Sequence, residues 1–349
     1  MKPRERMVRT LEFQPVDRAP RDLWALLGVT RLRTDEYRDL VAQYPPDMTY
    51  AGNIYGPSTR ARGTPGQVGT YVDAWGCVMQ VAEPGVIGEV KEALLDDDSA
   101  VAKYQPPWEI LREADLSQVN ANCAASDCFM RGATHVRPFE RAQFLRGTEK
   151  LLLDMAYGTR EFDILIQRLH EFFLEDIALW CKTDADCISF MDDWGTQTSL
   201  IISPDMWRTL FKPLYKEYCD LIRGAGKKVF FHSDGYITPI IEDLIEIGVD
   251  ALNSQLFCQD IEEIGRRFSG RITFWGEIDR QSILPFGTPD DVRAAVRRVR
   301  RALDHGRGGV VAQCEWGNKD PKENIAAVFE AWLEPLESVL TDPAGEACG

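Results

Sequence analysis

From residue 187 onward the chain repeats one pattern: a short apolar run, a polar tip, an amphipathic stretch opened by proline, a glycine, then another apolar run. The runs Cys187–Met191, Val229–His232, Val249–Leu252, Ile272–Trp275 and Gly309–Ala312 have the length and composition of strands buried on both faces. Four of the stretches that follow open alike, at Ser203-Pro204-Asp205, Thr238-Pro239, Thr288-Pro289-Asp290-Asp291 and Asp320-Pro321-Lys322-Glu323. A hydroxyl or carboxylate that caps free N–H groups, a proline at the first helical position and acids at the positive end of the dipole predict a helix start at each. Gly224 and Gly226, Gly248, Gly270 and Gly308 stand where helices should end. Strand and helix therefore alternate, which predicts a parallel sheet.

A closed barrel is favoured over an open doubly wound sheet. No Gly-x-Gly-x-x-Gly follows an early strand, so the dinucleotide-binding signature of the open class is missing. Five strand–helix units fill residues 187 to 333, and eight units need about 250 residues, so the N-terminal half must supply three more. The candidates are Arg21–Leu26, Asp47–Ala51 and Cys128–Thr134. The expected fold is α/β, a TIM-type (β/α)8 barrel formed by residues 1–349 as one domain, with an N-terminal extension and an inserted lid segment. Pro3 to Pro20 reads as a short helix with an extended entry into the barrel. Residues 52 to 90, rich in Gly and Pro, read as a loop or hairpin over the barrel mouth. Phe162, Ile166, Leu169, Phe172, Phe173 and Ile177 recur at helical spacing and mark a barrel helix over residues 160 to 181.

Composition narrows the function classes. With 349 residues, 44% of them hydrophobic, the chain can bury a large core, and its net charge of −15 disfavours nucleic acid and anionic membranes as partners. No apolar run approaches about 18 residues and no signal peptide is apparent, so a cytoplasmic location is expected. Nine cysteines without a Cys-x-x-Cys pair read as reduced thiols, most of them buried small hydrophobes.

Polar tips at equivalent strand ends carry the candidate chemistry: Asp192 and Asp193, His232 and Asp234, Asn253, Glu277 and Cys314. The blocks around them point to a family. Arg4-Glu5-Arg6 through Pro15-Val16-Asp17-Arg18-Ala19-Pro20, Met191-Asp192-Asp193-Trp194-Gly195-Thr196-Gln197, Phe231-His232-Ser233-Asp234-Gly235, Trp275-Gly276-Glu277-Ile278-Asp279 with Gln281, and Pro321-Lys322-Glu323-Asn324 resemble the uroporphyrinogen decarboxylase superfamily. The resemblance implies a TIM-type barrel with one of two activities. One is porphyrinogen decarboxylation, and the other is methyl transfer to or from a corrinoid protein.

The decarboxylase branch holds carboxylate arms with an arginine-bearing stretch near its first strand, and here the matching region reads Trp24-Ala25-Leu26-Leu27-Gly28-Val29-Thr30-Arg31. Without that arginine pair a polycarboxylate tetrapyrrole is poorly matched, because arginine forks are the usual carboxylate clamps. In the methyltransferase branch, zinc enzymes serving thiols use a His-x-Cys pair and a distant Cys; this chain offers His232-x-Asp234 and Cys314. The resemblance thus implies zinc held by His232, Glu277 and Cys314, with Asp234 as a fourth ligand or a catalytic neighbour. Fewer thiolates favour an oxygen-bearing substrate, hence a methoxylated aromatic whose leaving phenolate, of pKa about 10, needs a cation or a proton. Asp192 or Asp193 would supply the proton. Trp24, Trp75, Trp194 and Trp316 would stack on the ring, with Gln197 and Asn253 as polar contacts.

No Asp-x-His-x-x-Gly cobalamin signature occurs, so the cobalamin is expected on a separate corrinoid protein docking near the 52 to 90 insertion. The expected partners are that protein and a small-molecule methyl donor, with a homodimer left open. Three other readings remain: a decarboxylase-like enzyme acting on a different acid, a noncatalytic corrinoid- or tetrapyrrole-binding barrel, and thiol methylation, which Asp234 disfavours.

Overall fold

Alternation along the strands decides the architecture. In the computed structural model, which describes residues 1–341, the strands are β1 (Arg21–Ala25), β2 (Met48–Tyr50), β3 (Gly69–Val72), β4 (Val78–Val81), β5 (Glu89–Val90), β6 (Phe129–Ala133), β7 (Cys187–Met191), β8 (Lys228–Ser233), β9 (Ala251–Ser254), β10 (Thr273–Trp275) and β11 (Val310–Trp316). Eight of them form one sheet in the order β1-β11-β10-β9-β8-β7-β6-β2, every neighbouring pair parallel. Asp47 N–H donates to the Arg21 carbonyl at 2.8 Å and Arg21 N–H donates to Asp47 Oδ2 at 2.7 Å, drawing β1 and β2 together. The result is a (β/α)8 barrel of the TIM type, built from all eight expected strands.

Successive side chains point to opposite faces of a strand. Met48, Phe129, Cys187, Phe230, Ala251, Trp275 and Val311 face the barrel axis, where Met7 and Leu11 of the helix Pro3–Leu11 close the bottom. The intervening residues, among them Ile188, Phe190, Phe231, Leu252, Phe274, Ala312, Cys314 and Trp316, face the surrounding helices and belong to the larger outer core. Functional groups at the barrel's upper end must therefore share parity with the inward set.

Helix starts follow the expected chemistry at two of the four places. Ser203 Oγ accepts from Met206 N–H at 3.2 Å, and Thr288 forms a reciprocal capping box with Asp291. The helix Thr238–Ile247 is instead capped from the next loop, where Gln259 Oε1 accepts from Ile237 N–H, Thr238 N–H and the Thr238 hydroxyl. Asp320 turns back to accept from Gly317 N–H at 2.6 Å, leaving Pro321 as the residue before the last of these helices. Residues 160–181 form one helix, capped by Thr159.

Within residues 52–90, β3, β4 and β5 form an antiparallel sheet. Trp75 pins it to the helix Arg160–Cys181 through Phe172 and Phe173, at ring distances of 4.8 and 5.7 Å. Its far end reaches the short helix Leu27–Leu32 after β1, where Gly28 N–H donates to the Gly85 carbonyl at 3.1 Å.

Asp47 is 1% exposed and gathers the N-terminal segment onto the β1–β2 seam. It accepts from Arg6, from Arg18 Nη1 at 2.6 Å and from Arg21 N–H. Asp47→Ala leaves Arg18 without its acid, Arg6 with Asp17 alone and the buried Arg21 N–H without this acceptor, so denaturant unfolding is expected to show a loss of about 3–5 kcal/mol, the range for breaking a buried ion pair from one side.

Candidate active site

His232 lies on β8 with inward parity and is 6% exposed. Its Nδ1 lies 2.6 Å from Oδ1 of Asn253, the residue paired with it on β9. The Asn253 amide group is already committed as a donor, to the Trp275 carbonyl and, at 3.2 Å, to Gln313 Oε1. Its oxygen must therefore be the atom facing His232, so Nδ1 carries a proton and Nε2 is the ring nitrogen turned to the site. The Trp24 ring, centroid 5.1 Å away and tilted by 51°, covers one side of the imidazole.

Nε2 points at two carboxylates, Asp193 Oδ1 at 3.5 Å and Asp234 Oδ1 at 3.4 Å. Asp193, His232 and Asp234 are the metal-capable group found among the described residues, with ligand atoms mutually within 4.8 Å. Local backbone explains the convergence. Asp234 N–H donates to Asp193 Oδ1 at 2.9 Å, and Gly195 N–H donates to the Asp234 carbonyl at 3.0 Å. The loops after β7 and β8 cross so closely that a Cβ on Gly195 would sit 2.3 Å from Tyr236 N, and Gly235 has φ +74°. Glycine at both positions is what allows the two aspartates to meet.

Arg280, in the loop after β10, gathers a second set of acids. Its guanidinium pairs with Asp234 Oδ2, with Glu315 Oε2 at 2.9 Å and with Glu277 Oε2 at 3.6 Å. Glu277 is 2% exposed, and its Oε1 is buried without a hydrogen-bond partner. Burial pushes the Glu277 carboxyl up to about 8, against the opposing pull of Arg280. Asp193 and Glu315 are likewise raised, chiefly by burial. Beside this cluster lies a cavity of about 230 Å³ lined by Gln197, Gln255, Cys258, Glu277, Arg280 and Gln281, among others.

The expected residues divide sharply. His232, Asp193 and Asp234 come together, Glu277 stands one arginine away, and Gln197 lines the cavity. Asn253, expected as a substrate contact, is fully buried and orients His232. Cys314 does not join His232 and Glu277 as a ligand: it has the outward parity of β11, is fully buried in the outer core, and burial holds its thiol well above the usual range. Asp192 points outward as well, accepting from Phe139 N–H at 2.8 Å, Glu140 N–H at 2.7 Å and the Tyr215 hydroxyl at 2.6 Å, so it anchors a helix start and offers no proton to the site. Of the four tryptophans only Trp24 reaches the cluster. Trp75 is packed under the insertion, Trp194 lies between Phe139 and Phe211, and Trp316 donates to the Asp320 carbonyl on the outer face. Arg280, Glu315 and Gln313 were not anticipated. Strand parity was the available signal for the last two, since they flank Cys314 and so must face inward.

The ligand set left after these corrections, one imidazole and two carboxylates, suits zinc or a harder divalent ion. The fit rests on the direction of Nε2, turned to both carboxylates, and on Asp234 Oδ1, buried without a hydrogen-bond partner.

Residues 132–334 match the sequence profile of uroporphyrinogen decarboxylase (URO-D). That is more than half of the chain, and the protein belongs to this family. Uroporphyrinogen decarboxylases of Neisseria gonorrhoeae and Neisseria meningitidis are 28% and 29% identical to it over 136 residues. The match covers 36% of this chain and 34% of theirs, so the chain spans about a third of the length of the curated relatives it matches. Among solved structures, a methyltransferase from Methanosarcina mazei superposes with a TM-score of 0.65 over 95% of this chain and 98% of that one, at 15% identity. At that identity the likeness is one of fold.

Elemental analysis after zinc loading and dialysis should find metal in the wild-type protein and in Cys314→Ala. His232→Ala and Asp234→Asn are each expected to lose most of it, while parity of all three variants with the wild type would contradict the assignment.

Proposed function

We propose that the protein is a methyltransferase that takes a methyl group from a small methylated substrate and passes it to the cobalt of a separate corrinoid protein. The observation that carries this reading is the convergence of Asp193, Asp234 and Nε2 of His232 at the upper end of the barrel. The methyltransferase named in the M. mazei structure is consistent with it. Zinc held by the three residues would act as a Lewis acid on the substrate's heteroatom. With no thiolate in the ligand set, an oxygen atom is a better match than sulfur.

The chain's own groups supply the rest. Glu277, protonated at neutral pH and lining the cavity, holds its proton at a carboxyl whose Oε1 is unpartnered, where a departing oxygen can receive it. A cavity of about 230 Å³ limits the methyl donor to a compound of about one ring, such as a methoxylated arene. Trp24 is the aromatic surface beside the imidazole, and the cavity itself has a mostly polar lining.

Decarboxylation of a polycarboxylate fits less well, because the inward arginines are engaged. Arg280 holds three acids, and Arg131 lies over Tyr50, Trp275 and Trp24, with its guanidinium carbon 4.0, 4.9 and 5.4 Å from the ring centroids.

Mixing the zinc-loaded protein with a reduced corrinoid protein and a panel of methoxylated arenes is expected to produce methyl-cobalt absorbance, lost at least about 100-fold in His232→Ala. No absorbance change across the panel would contradict the reading. The rate should decline as pH rises through about 8, where Glu277 gives up its proton, and Glu277→Gln should be slower with that decline removed.

A further inference from the structure

Five carboxylates crowd the upper end of the barrel, and they are not equivalent. Asp279 Oδ1 accepts from Gln281 N–H and Ser282 N–H, closing its own loop. Glu277, Glu315 and one oxygen of Asp234 converge on Arg280, from loops or strand ends of β10, β11 and β8. Asp193 and the other oxygen of Asp234 remain for His232. The Arg280 side chain is 18% exposed; burial alone would lower its pKa, and Glu277, Asp234 and Glu315 together raise it, so it stays a fixed positive charge.

We propose that Arg280 is a built-in rival cation, a positioning residue that withholds Glu277 and Glu315 from the metal and so confines the ion to Asp193, His232 and Asp234. This rests on the metal site of the proposed function and deepens it. Two effects of Arg280 on a bound divalent ion oppose each other. It orients Asp234 by holding Oδ2, which favours binding; losing an orienting partner weakens metal sites by about 10- to 100-fold. It also places a positive charge on the carboxylate that the ion must share, and it occupies two further acids. Repulsion between a unit and a double charge a few ångströms apart in a half-buried site is larger than an orienting contribution of that size. Relief of repulsion and the release of two glutamates therefore outweigh the lost orientation. The wild-type arrangement holds the ion more weakly than the carboxylates could.

The test is calorimetric titration of zinc into the full-length wild type, Arg280→Met, Arg280→Lys and the double variant Arg280→Met/Glu315→Gln, with thermal unfolding confirming that each is folded. Arg280→Gln replaces Met if that variant does not fold. Arg280→Met is expected to bind zinc about tenfold tighter or more, Arg280→Lys to stay near the wild type, and the double variant to lose the part of the gain that the freed Glu315 supplies. Zinc binding by Arg280→Met that is unchanged or weaker would overturn the proposal, as would a gain that survives in the double variant at full size. A wild type that binds no zinc while Arg280→Met does supports the rival-cation role and counts against the site's use in the wild-type protein. Absence of binding in both overturns the two together.

Discussion

The direction in which one imidazole is turned governs the chemistry this barrel can perform. His232 meets Asn253 across the β8–β9 pairing, and Asn253 cannot rotate without giving up its bonds to the Trp275 carbonyl and Gln313. A buried amide with all its partners in place is stiff, and breaking one contact exposes the others to an unmet desolvation cost. That stiffness fixes the orientation of the His232 ring and aims Nε2 at Asp193 and Asp234. Four inward strands cooperate here, β8, β9, β10 and β11, so the site is built by barrel closure and exists only in the folded chain.

Charge supplies the second constraint. Acids outnumber cations at the upper end of the barrel, in keeping with a net charge of −15 for the whole chain. An excess of buried carboxylate is tolerable when protons, arginine or a metal ion share it. Glu277 carries a proton near neutrality, Arg280 neutralises its neighbours, and the group formed by His232, Asp193 and Asp234 leaves room for a divalent ion. Unpaired acids at such a site repel an anionic ligand and attract a cation, and the stretch Leu26-Leu27-Gly28-Val29 after β1 adds no positive charge to offset them.

Much of the fold was legible because its signals are local. The period of apolar runs located β7 through β11, and the capping residues Ser203 and Thr288 behaved as their sequence neighbourhoods implied. Thr238 and Asp320 did not: Gln259, on the next loop, takes the hydrogen bonds of the first, and the carboxylate of the second turns back on the nearby Gly317 N–H in competition with a helix cap. The site was half legible. His232-x-Asp234 has a spacing that returns both side chains to one face of a strand, and the two lie together. Cys314 was misread because a thiol attracts a metal assignment, while parity on β11, set by Gln313 and Glu315 on either side of it, turns it outward. Asp192 and Asp193 are adjacent and must diverge, and only the helix start at Phe139 and Glu140 tells which one is structural. Arg280 sits in an irregular loop, where neither period nor cap gives direction.

The most direct test of the account is anomalous scattering from a crystal of the wild-type protein soaked with zinc. The account predicts a peak about 2.0–2.2 Å from His232 Nε2 and from carboxylate oxygens of Asp193 and Asp234, with Cys314 remote from it. A peak on the Cys314 sulfur, or none at the upper end of the barrel under saturating zinc, would contradict it.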